Sequence, residues 1–195
     1  MFQTSFDPSK TAILVVDMQQ GYTDPSYKHA FGASKNTDRL AIRLKEDFLP
    51  KARQAGLRIL WARHVPHPNN SLPFDKGFTR FHQCEPQANE FIIDKISYSA
   101  FDFTNLEMIL KQEGISHLAL VGAFTDVCIR DTARDGVFSG LENVTVIRDL
   151  CVDIPSHSSE QTDKILEAMT WDGIDVADSK CFLSYLARTP VLAAA

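Results

Sequence analysis

The sequence predicts a single α/β domain whose parallel sheet is covered by helices on both faces. Short β-branched apolar runs alternate with longer amphipathic segments through most of the 195 residues. These runs are apolar at successive positions, which is typical of strands buried on both faces. Ionisable residues directly follow several of the runs, at the strand ends where open α/β sheets have their sites.

The first half of the chain contains three predicted strands, which are Thr11–Val16, Leu57–Trp61 and Phe91–Asp94. Between the first two, Asn36–Ala55 has helical periodicity, and Pro50 predicts a kink or a break in that helix. Residues 66–88 are irregular and carry several aromatic side chains. A long loop of this kind in a compact domain is more often a lid or a pocket wall than a passive connector.

The second half centres on the predicted strand Leu118–Val121, which Gly122 interrupts. Thr125 and Asp126 offer N-cap chemistry for a helix that runs to Val137 or Phe138. The remaining predicted elements are helix Thr104–Glu113, strand Asn143–Ile147, helix Ser158–Trp171, a weak strand near Gly173–Val176 and helix Ser179–Leu186. Residues 1–187 are therefore predicted to form one domain, and residues 188–195 a flexible tail.

The composition argues against partners such as nucleic acid or a membrane. The formal net charge is −5 and the basic residues are scattered, so no basic face is predicted. No apolar run approaches the ~20 residues that span a bilayer, and the N-terminus lacks the apolar core of a signal peptide. Four widely spaced cysteines suit reduced thiols better than disulfides or a zinc site. We therefore expect a cytoplasmic protein that acts on a small molecule.

Three ionisable residues, Asp17, Lys95 and Cys128, follow three predicted strands. Because the carboxyl ends of parallel strands share one edge of the sheet, these side chains can meet there. A carboxylate can take the thiol proton and later protonate a leaving amine, while an ammonium favours the thiolate. Alternatively, Cys128 is a buried structural cysteine and Asp17 caps a turn. A thiol at a helix start beside Lys95 predicts a lowered pKa and faster alkylation than at the other cysteines.

Three blocks of sequence resemble the isochorismatase-like cysteine hydrolases, the superfamily of nicotinamidases, N-carbamoylsarcosine amidase, ureidoacrylate and biuret hydrolases and isochorismatase. The first is ILVVDMQQGY at Ile13–Tyr22, and the second is Lys95 with Ser99–Phe101 and Thr104-x-Leu106. The third is GAFTDVC at Gly122–Cys128 with TARD at Thr132–Asp135, and Asp149 closes the next strand. The similarity extends from about Thr11 to Val176.

This resemblance implies a three-layer α/β/α, doubly wound fold with a six-stranded parallel sheet of order 3-2-1-4-5-6. It also implies an Asp17–Lys95–Cys128 catalytic triad and a cis peptide bond between Ala123 and Phe124. In the family, that bond directs the Phe124 N–H, together with the Cys128 N–H, at the oxyanion. Most relatives have a smaller residue than Phe124, so this side chain is expected to narrow the pocket. Relatives are mostly dimers or tetramers, and a homo-oligomer is expected here.

No metal is expected, because one part of the family's metal pattern is missing. Nicotinamidases bind a divalent metal through an Asp-x-His pair after the second strand and further histidines. The stretch Trp61–His67 has no aspartate at the required place. His64, His67 and His82 can still bind a metal in principle, but ordinary hydrogen bonds are the simpler interpretation. The predicted substrate pocket comprises Tyr22, His64, Phe74, Phe78, Arg80 and Phe81.

Together these observations predict a hydrolase that cleaves a C–N bond of a small amide or ureido compound. The predicted reaction passes through a Cys128 thioester, releases ammonia or an amine and needs no cofactor. Two alternatives remain open: vinyl-ether hydrolysis of the isochorismatase type, and a catalytically silent binding or scaffold protein. The thiol favours C–N hydrolysis, because relatives that cleave the ether can dispense with it.

Overall fold

The structure is a computed structural model, and it describes residues 7–67 and 77–186. The six strands are β1 (Thr11–Val16), β2 (Arg58–His64), β3 (Phe91–Lys95), β4 (His117–Ala123), β5 (Asn143–Val152) and β6 (Asp175–Ala177). All neighbouring strands pair in parallel, in a single sheet of order β3-β2-β1-β4-β5-β6. The predicted fold class and strand order are therefore confirmed.

Seven α-helices connect or flank the strands within the described residues. They are α1 (Gln20–Thr23), α2 (Lys35–Arg43), α3 (Leu49–Gln54), α4 (Leu106–Gln112), α5 (Arg130–Phe138), α6 (Ser159–Trp171) and α7 (Ser179–Leu186). Ser34 and Ser158 begin α2 and α6 with capping boxes, in which side chain and backbone satisfy each other's free donors. None of the helices in these two ranges has the length and apolar character needed to cross a membrane.

The alternating side chains of β1 divide the core into two layers. Ala12, Leu14 and Val16 belong to the cluster that α4, α5 and α6 cover, with members such as Leu106, Ala133 and Met169. Ile13 and Val15 belong to the cluster on the opposite face, which α2, α3 and α7 cover. All six residues of β1 are buried. The central strand is thus held from both sides, and its carboxyl end is a rigid support for the residue that follows.

The helix predicted over Asn36–Ala55 is interrupted before Pro50. The helical path continues from α2 to α3, but the intervening residues Leu44–Phe48 form a π-helical turn. Pro50 lies in the first turn of α3, where its missing N–H is tolerated. The widened turn accommodates the proline, so the expected irregularity is present and lies just N-terminal to it.

The helix predicted to begin at Thr125 or Asp126 begins differently, and this expectation was wrong. Thr125–Ile129 is a π-helical turn that leads into α5, and Phe124 is its N-terminal cap without a side-chain hydrogen bond. The Phe124 carbonyl accepts hydrogen bonds from the N–H groups of Val127 and Ile129, at 3.1 and 3.2 Å. Backbone groups therefore replace the expected side-chain cap. The predicted domain boundary stays a prediction, and the predicted tail at 188–195 lies outside the described residues.

Candidate active site

Asp17, Lys95 and Cys128 lie at one edge of the sheet, each supplied by a different element. Asp17 directly follows β1, Lys95 is the last residue of β3, and Cys128 lies in the π-helical turn after β4. Because β2 separates β3 from β1, the Lys95 side chain has to bridge about two strand spacings, roughly 9–10 Å. A long, unbranched side chain such as lysine is suited to this distance.

The three side chains are in direct contact. Lys95 Nζ lies 2.8 Å from Asp17 Oδ2 and 3.4 Å from Cys128 Sγ. The ammonium also donates a hydrogen bond to the Ser97 carbonyl, at 3.1 Å. The exposed fractions are 1% for Asp17, 0% for Lys95 and 6% for Cys128. The arrangement is therefore a buried ion pair with a thiol beside it, and of the three residues the thiol is the most accessible.

Electrostatics at the site differ from the expectation for Cys128. Burial raises the pKa of the Cys128 thiol and the Asp17 carboxylate adds to this, which outweighs the lowering by Lys95. The predicted lowering of this pKa was wrong, because the sequence does not reveal how deeply the thiol is buried. Burial alone would lower the pKa of Lys95, but Asp17 and Cys128 outweigh it, so this pKa is raised. The resting site therefore has a neutral thiol and a charged lysine.

Asp17 adopts a backbone conformation that is uncommon for residues other than glycine. Its φ is +53°, in the left-handed region that aspartate tolerates better than most side chains. Its N–H donates to the Ala62 carbonyl at 2.9 Å, which ties the residue to β2. Oδ2 pairs with Lys95, whereas Oδ1 has no hydrogen-bond partner among the described residues. The carboxylate therefore retains the capacity to accept a proton from the neighbouring thiol.

The end of β4 and the residue that follows it have two unusual backbone features. The peptide bond between Ala123 and Phe124 is cis, at the position where the resemblance implies one. Gly122, with φ +123°, lies against β1, and a Cβ there would be 2.1 Å from the Val16 carbonyl oxygen. Only glycine allows β4 to approach β1 this closely, directly before Asp17.

An aromatic wall, defined here as Tyr22, Phe31, Phe78 and Phe124, lies beside the three residues. The Tyr22 ring makes edge contacts with the other three, with centroids 6.4, 5.1 and 5.8 Å away, respectively. A Cβ at Gly32 would be 2.6 Å from the Phe124 ring, so this glycine makes space for the bulky side chain. Phe78 and Phe124 are buried, whereas Phe31 is 62% exposed.

Tyr22 and His64 form a hydrogen-bonded pair within reach of the same charges. Tyr22 Oη and His64 Nδ1 are 2.7 Å apart. Burial raises the pKa of Tyr22, and the negative charge of Asp17 adds to this. Burial lowers the pKa of His64, and the Lys95 charge adds to this, so the imidazole is neutral when it shares the hydrogen bond with the Tyr22 hydroxyl. Both predicted pocket residues thus lie beside the site, as uncharged polar groups.

Two of the residues predicted for the pocket, Arg80 and Phe81, lie elsewhere. They line a separate cleft of about 560 Å³ together with Arg63, and none of Asp17, Lys95 and Cys128 lines it. Phe81 packs on Trp61, with ring centroids 5.2 Å apart, because it forms a bridge with Gln19 and turns towards the core. The structure thus groups Tyr22, His64 and Phe78 near the site, while Phe74 lies outside the described residues.

Sequence reasoning missed Gln19, which is fully buried. Its side-chain oxygen accepts from the His64 N–H at 2.8 Å, and its Nε2 donates to the carbonyls of His64 and Phe78, at 2.9 and 3.1 Å. One amide therefore connects the end of β1 to the end of β2 and to the loop that carries Phe78. The signal was present in the first block, where a polar residue follows Asp17 by two positions within an apolar context.

The histidines do not form the metal site of nicotinamidases. His82 contacts Asp38 through Nε2 at 2.8 Å and approaches Asp24 through Nδ1 at 3.7 Å, whereas His64 bonds to Tyr22. Among the described residues, the three histidines converge on no common point. The residues present therefore do not fit that metal, and no step of the chemistry is routed through it. A different group, Asp126, Asp153 and His157, does have the proximity of a metal site.

Comparison with known proteins gives a consistent result. Residues 11–181 match the family model for the Isochorismatase domain. A cysteine hydrolase from Pseudomonas syringae pv. phaseolicola is 20% identical, with a TM-score of 0.81 over 95% of this chain and 96% of the other. N-carbamoylsarcosine amidase from Thermoplasma acidophilum is 23% identical, with a TM-score of 0.69 over 87% and 96%. At these identities, the two structures show the fold alone.

A third similar structure is that of pyrazinamidase from Pyrococcus horikoshii in complex with zinc. It is 26% identical, with a TM-score of 0.72 over 87% of this chain and 99% of the other. All three solved structures are matched over nearly their whole length, and the family model covers most of the chain. The comparison therefore extends well beyond the few residues of the candidate site.

Proposed function

The chain belongs to the isochorismatase family, and on this premise we propose that it is a cysteine hydrolase of small amides or ureido compounds. The proposed reaction cleaves a C–N bond through a thioester on Cys128 and releases ammonia or an amine. Hydrolysis is the family's chemistry, and solved structures of similar fold include two amidases. The groups that surround the thiol favour a C–N bond as the target and a thioester as the intermediate.

The main support for this proposal is that Lys95 contacts both Asp17 and Cys128. Its Nζ lies 2.8 Å from Asp17 Oδ2 and 3.4 Å from Cys128 Sγ, in a buried environment. Charges interact strongly where water is excluded, so a lysine here stabilises any negative charge that moves between the carboxylate and the sulfur. A nucleophile, a proton acceptor and a fixed positive charge are the groups that acyl transfer requires.

In the proposed first half-reaction, Asp17 takes the thiol proton as the sulfur attacks the carbonyl carbon. Because the Cys128 pKa is raised, the proton is transferred as substrate arrives, and no stable thiolate precedes it. The C–S bond forms, and the oxyanion is stabilised by the N–H groups of Phe124 and Cys128. The protonated Asp17 then donates its proton to the nitrogen, the C–N bond breaks and the amine leaves.

In the second half-reaction, water attacks the thioester carbonyl and gives a proton to Asp17. The C–S bond breaks, the carboxylic acid is released, and the sulfur recovers its proton from Asp17. Lys95 stays protonated throughout, since its pKa is raised. Asp17 acts twice, once on each side of the thioester, whereas Lys95 acts only through its charge.

The aromatic wall and the neutral Tyr22–His64 pair support a small substrate whose reacting group is flat and uncharged. Rings in edge contact leave faces on which a planar acyl or ureido group can stack. Phe124 and Phe78 are buried beside Tyr22, which limits the size of the acyl group. Of the four residues of this wall, only Phe31 is exposed for the most part.

An ammonia-release screen tests the proposal. The panel comprises primary amides with planar acyl groups, carbamoyl amino acids, biuret and ureidoacrylate-like compounds, each incubated with wild type and with Cys128→Ala. We expect ammonia from at least one amide or ureido compound with wild type, and none above background with the variant. Isochorismate is included with a pyruvate assay, because pyruvate without ammonia would identify an ether hydrolase and contradict the proposal.

A further inference from the structure

A second group of polar side chains lies at the turn that contains Cys128, and it takes no part in the proposed reaction. Asp126 belongs to that turn, Asp153 directly follows β5, and His157 lies just before α6. One ligand-type atom from each residue lies within 4.8 Å of the other two. Asp126 Oδ2 and His157 Nδ1 are 3.3 Å apart. Three segments that are distant in sequence therefore converge on one point.

Each of these three side chains has one buried polar atom that makes no hydrogen bond. Asp126 Oδ1, Asp153 Oδ1 and His157 Nδ1 are inaccessible to solvent and make no hydrogen bond with any described residue. Burying polar atoms in this way costs free energy unless something satisfies them. Two carboxylates this close also repel each other. Both costs are removed by a cation bound between the three groups.

We infer that Asp126, Asp153 and His157 bind a divalent metal ion of the Mn²⁺ or Zn²⁺ type. Imidazole nitrogen suits such transition metals, whereas Ca²⁺ and Mg²⁺ favour sites made of oxygen ligands. Metal–ligand bonds of about 2.1 Å place ligand atoms roughly 3–4 Å apart, so the three groups need to close by only about an ångström. Three protein ligands leave positions for water.

One neighbouring contact supports a fixed geometry for the site. The Thr162 hydroxyl of α6 donates a hydrogen bond to Asp153 Oδ2, whereas Asp153 Oδ1 accepts none from the described residues. Such an outer contact orients a carboxylate ligand and leaves Oδ1 available for the ion. The ion would therefore link the turn that carries Cys128 to the start of α6, without contacting the thiol or the substrate.

Metal titration of the full-length, metal-free protein tests the inference, with Mn²⁺ alone or Zn²⁺ alone as the probe. We expect one ion per chain by calorimetry, and a thermal midpoint that rises with the concentration of the ion. Asp153→Asn and His157→Gln should each weaken binding at least tenfold, because even outer contacts of a metal typically contribute 10–100-fold in affinity.

His82→Gln is the matched control. His82 also lies between two aspartates, Asp38 and Asp24, but its two nitrogens face different carboxylates, at 2.8 and 3.7 Å. No single ion can use that arrangement, so the variant should bind Mn²⁺ as wild type does. A loss of binding in His82→Gln equal to that in His157→Gln would overturn the inference.

A measurement on wild type avoids any dependence on how the variants fold. Mn²⁺ broadens the NMR signals of nearby nuclei, so at one equivalent the imidazole signals of His157 should broaden before those of His82 and His117. Absence of stoichiometric binding by either metal would overturn the inference. So would broadening that spares His157, or unchanged affinity in both ligand variants. None of these readouts depends on activity, so failure here leaves the proposed hydrolase function untouched.

Discussion

At the scale of single residues, Cys128 and Lys95 show how burial and charge compete. Both side chains are almost inaccessible, yet burial dominates the pKa of the thiol while neighbouring charges dominate that of the ammonium. The difference depends on which charged groups lie next to each side chain. Lys95 faces two groups that carry negative charge when ionised, whereas the cation that favours the Cys128 thiolate is opposed by Asp17.

A pair of variants separates the roles of Asp17 and Lys95. Asp17→Asn keeps the shape but cannot carry a proton, so kcat/KM should fall by roughly 10²–10⁴ or more, at every pH. Lys95→Met removes the charge that lowers the Cys128 pKa, so this pKa should rise further and activity should fall at neutral pH. Part of that activity should return at higher pH, where the thiol ionises without the lysine. The measurement is kcat/KM against pH.

Lys111→Met is the control for that experiment, because Lys111 also pairs with a carboxylate, at 2.6 Å from Glu107, but on the exposed surface. Its pH profile should match that of wild type. Thermal midpoints establish that each variant is folded before its rate is compared. Near-normal activity of Asp17→Asn would mean that Asp17 only shapes its turn.

The identities of these residues could be predicted from the sequence, but their surroundings could not. Asp17, Lys95 and Cys128 stand out because each follows a predicted strand, and Cys128 also lies near the start of a helical segment. The direction of the Cys128 pKa was missed because the depth of the thiol depends on packing by residues scattered along the chain. Gln19 was missed for a related reason, since its partners His64 and Phe78 are 45 and 59 positions away.

At the scale of elements, the junction between β1 and β4 positions the site. Gly122 has φ +123° and no room for a Cβ against Val16, and the register between β4 and β5 shifts between Leu120 and Gly122. The sequence indicated an interruption at Gly122, but not its cause. That cause is a close approach of two strands, and it becomes visible only once β1 and β4 are known to be neighbours.

Gly122→Ala should lower the free energy of unfolding by more than the control substitution Gly140→Ala does. Gly140 has φ +85° and open space around it. Alanine there should destabilise the fold only through the left-handed backbone conformation, by about 1–2 kcal/mol. At Gly122 the new Cβ also collides with backbone that cannot move without shifting Asp17. We expect a larger loss of stability, measured by urea denaturation, together with a lower kcat. Equal losses for the two variants would show that the close approach is unimportant.

At the scale of the whole molecule, the order of the strands was the most predictable feature, and the bounds of the elements were less so. β1 was predicted without error because its unbroken run of apolar and β-branched residues lies between two charged residues, Lys10 and Asp17. β5 extends to Val152, beyond the predicted end at Ile147, because Cys151 and Val152 still pair with Gly122 and Ala123 of β4. The side chains of Arg148 and Asp149, within this extension, bind Asp178 and Ser179. Polar residues with such partners look like a loop in the sequence.

The stability of the molecule should depend on pH through His117, which lies in β4. Burial lowers the pKa of this imidazole from 6.5 to about 3, and its Nε2 lies 2.9 Å from the Thr145 hydroxyl. Between these two values the unfolded chain binds a proton that the folded protein excludes. Stability should therefore fall as the pH drops below 6.5, by up to about 1.4 kcal/mol per pH unit from this group.

Denaturation in urea at several values between pH 4 and pH 7 measures this slope. His117→Gln removes the titrating group and retains a polar partner for Thr145, so its slope should be shallower than that of wild type. His29→Gln, at an exposed histidine, is the control and should keep the wild-type slope. If all three proteins give the same slope, His117 does not exclude the proton.

The central claim is that Cys128 carries the acyl group, and trapping that intermediate tests it most directly. Wild type is mixed with an amide identified by the ammonia-release screen, quenched in acid within the first turnovers and analysed by mass spectrometry. We predict an added mass equal to the acyl group, located on the peptide that contains Cys128 and removed by hydroxylamine. An adduct on another residue, or full turnover by Cys128→Ala, would contradict the account.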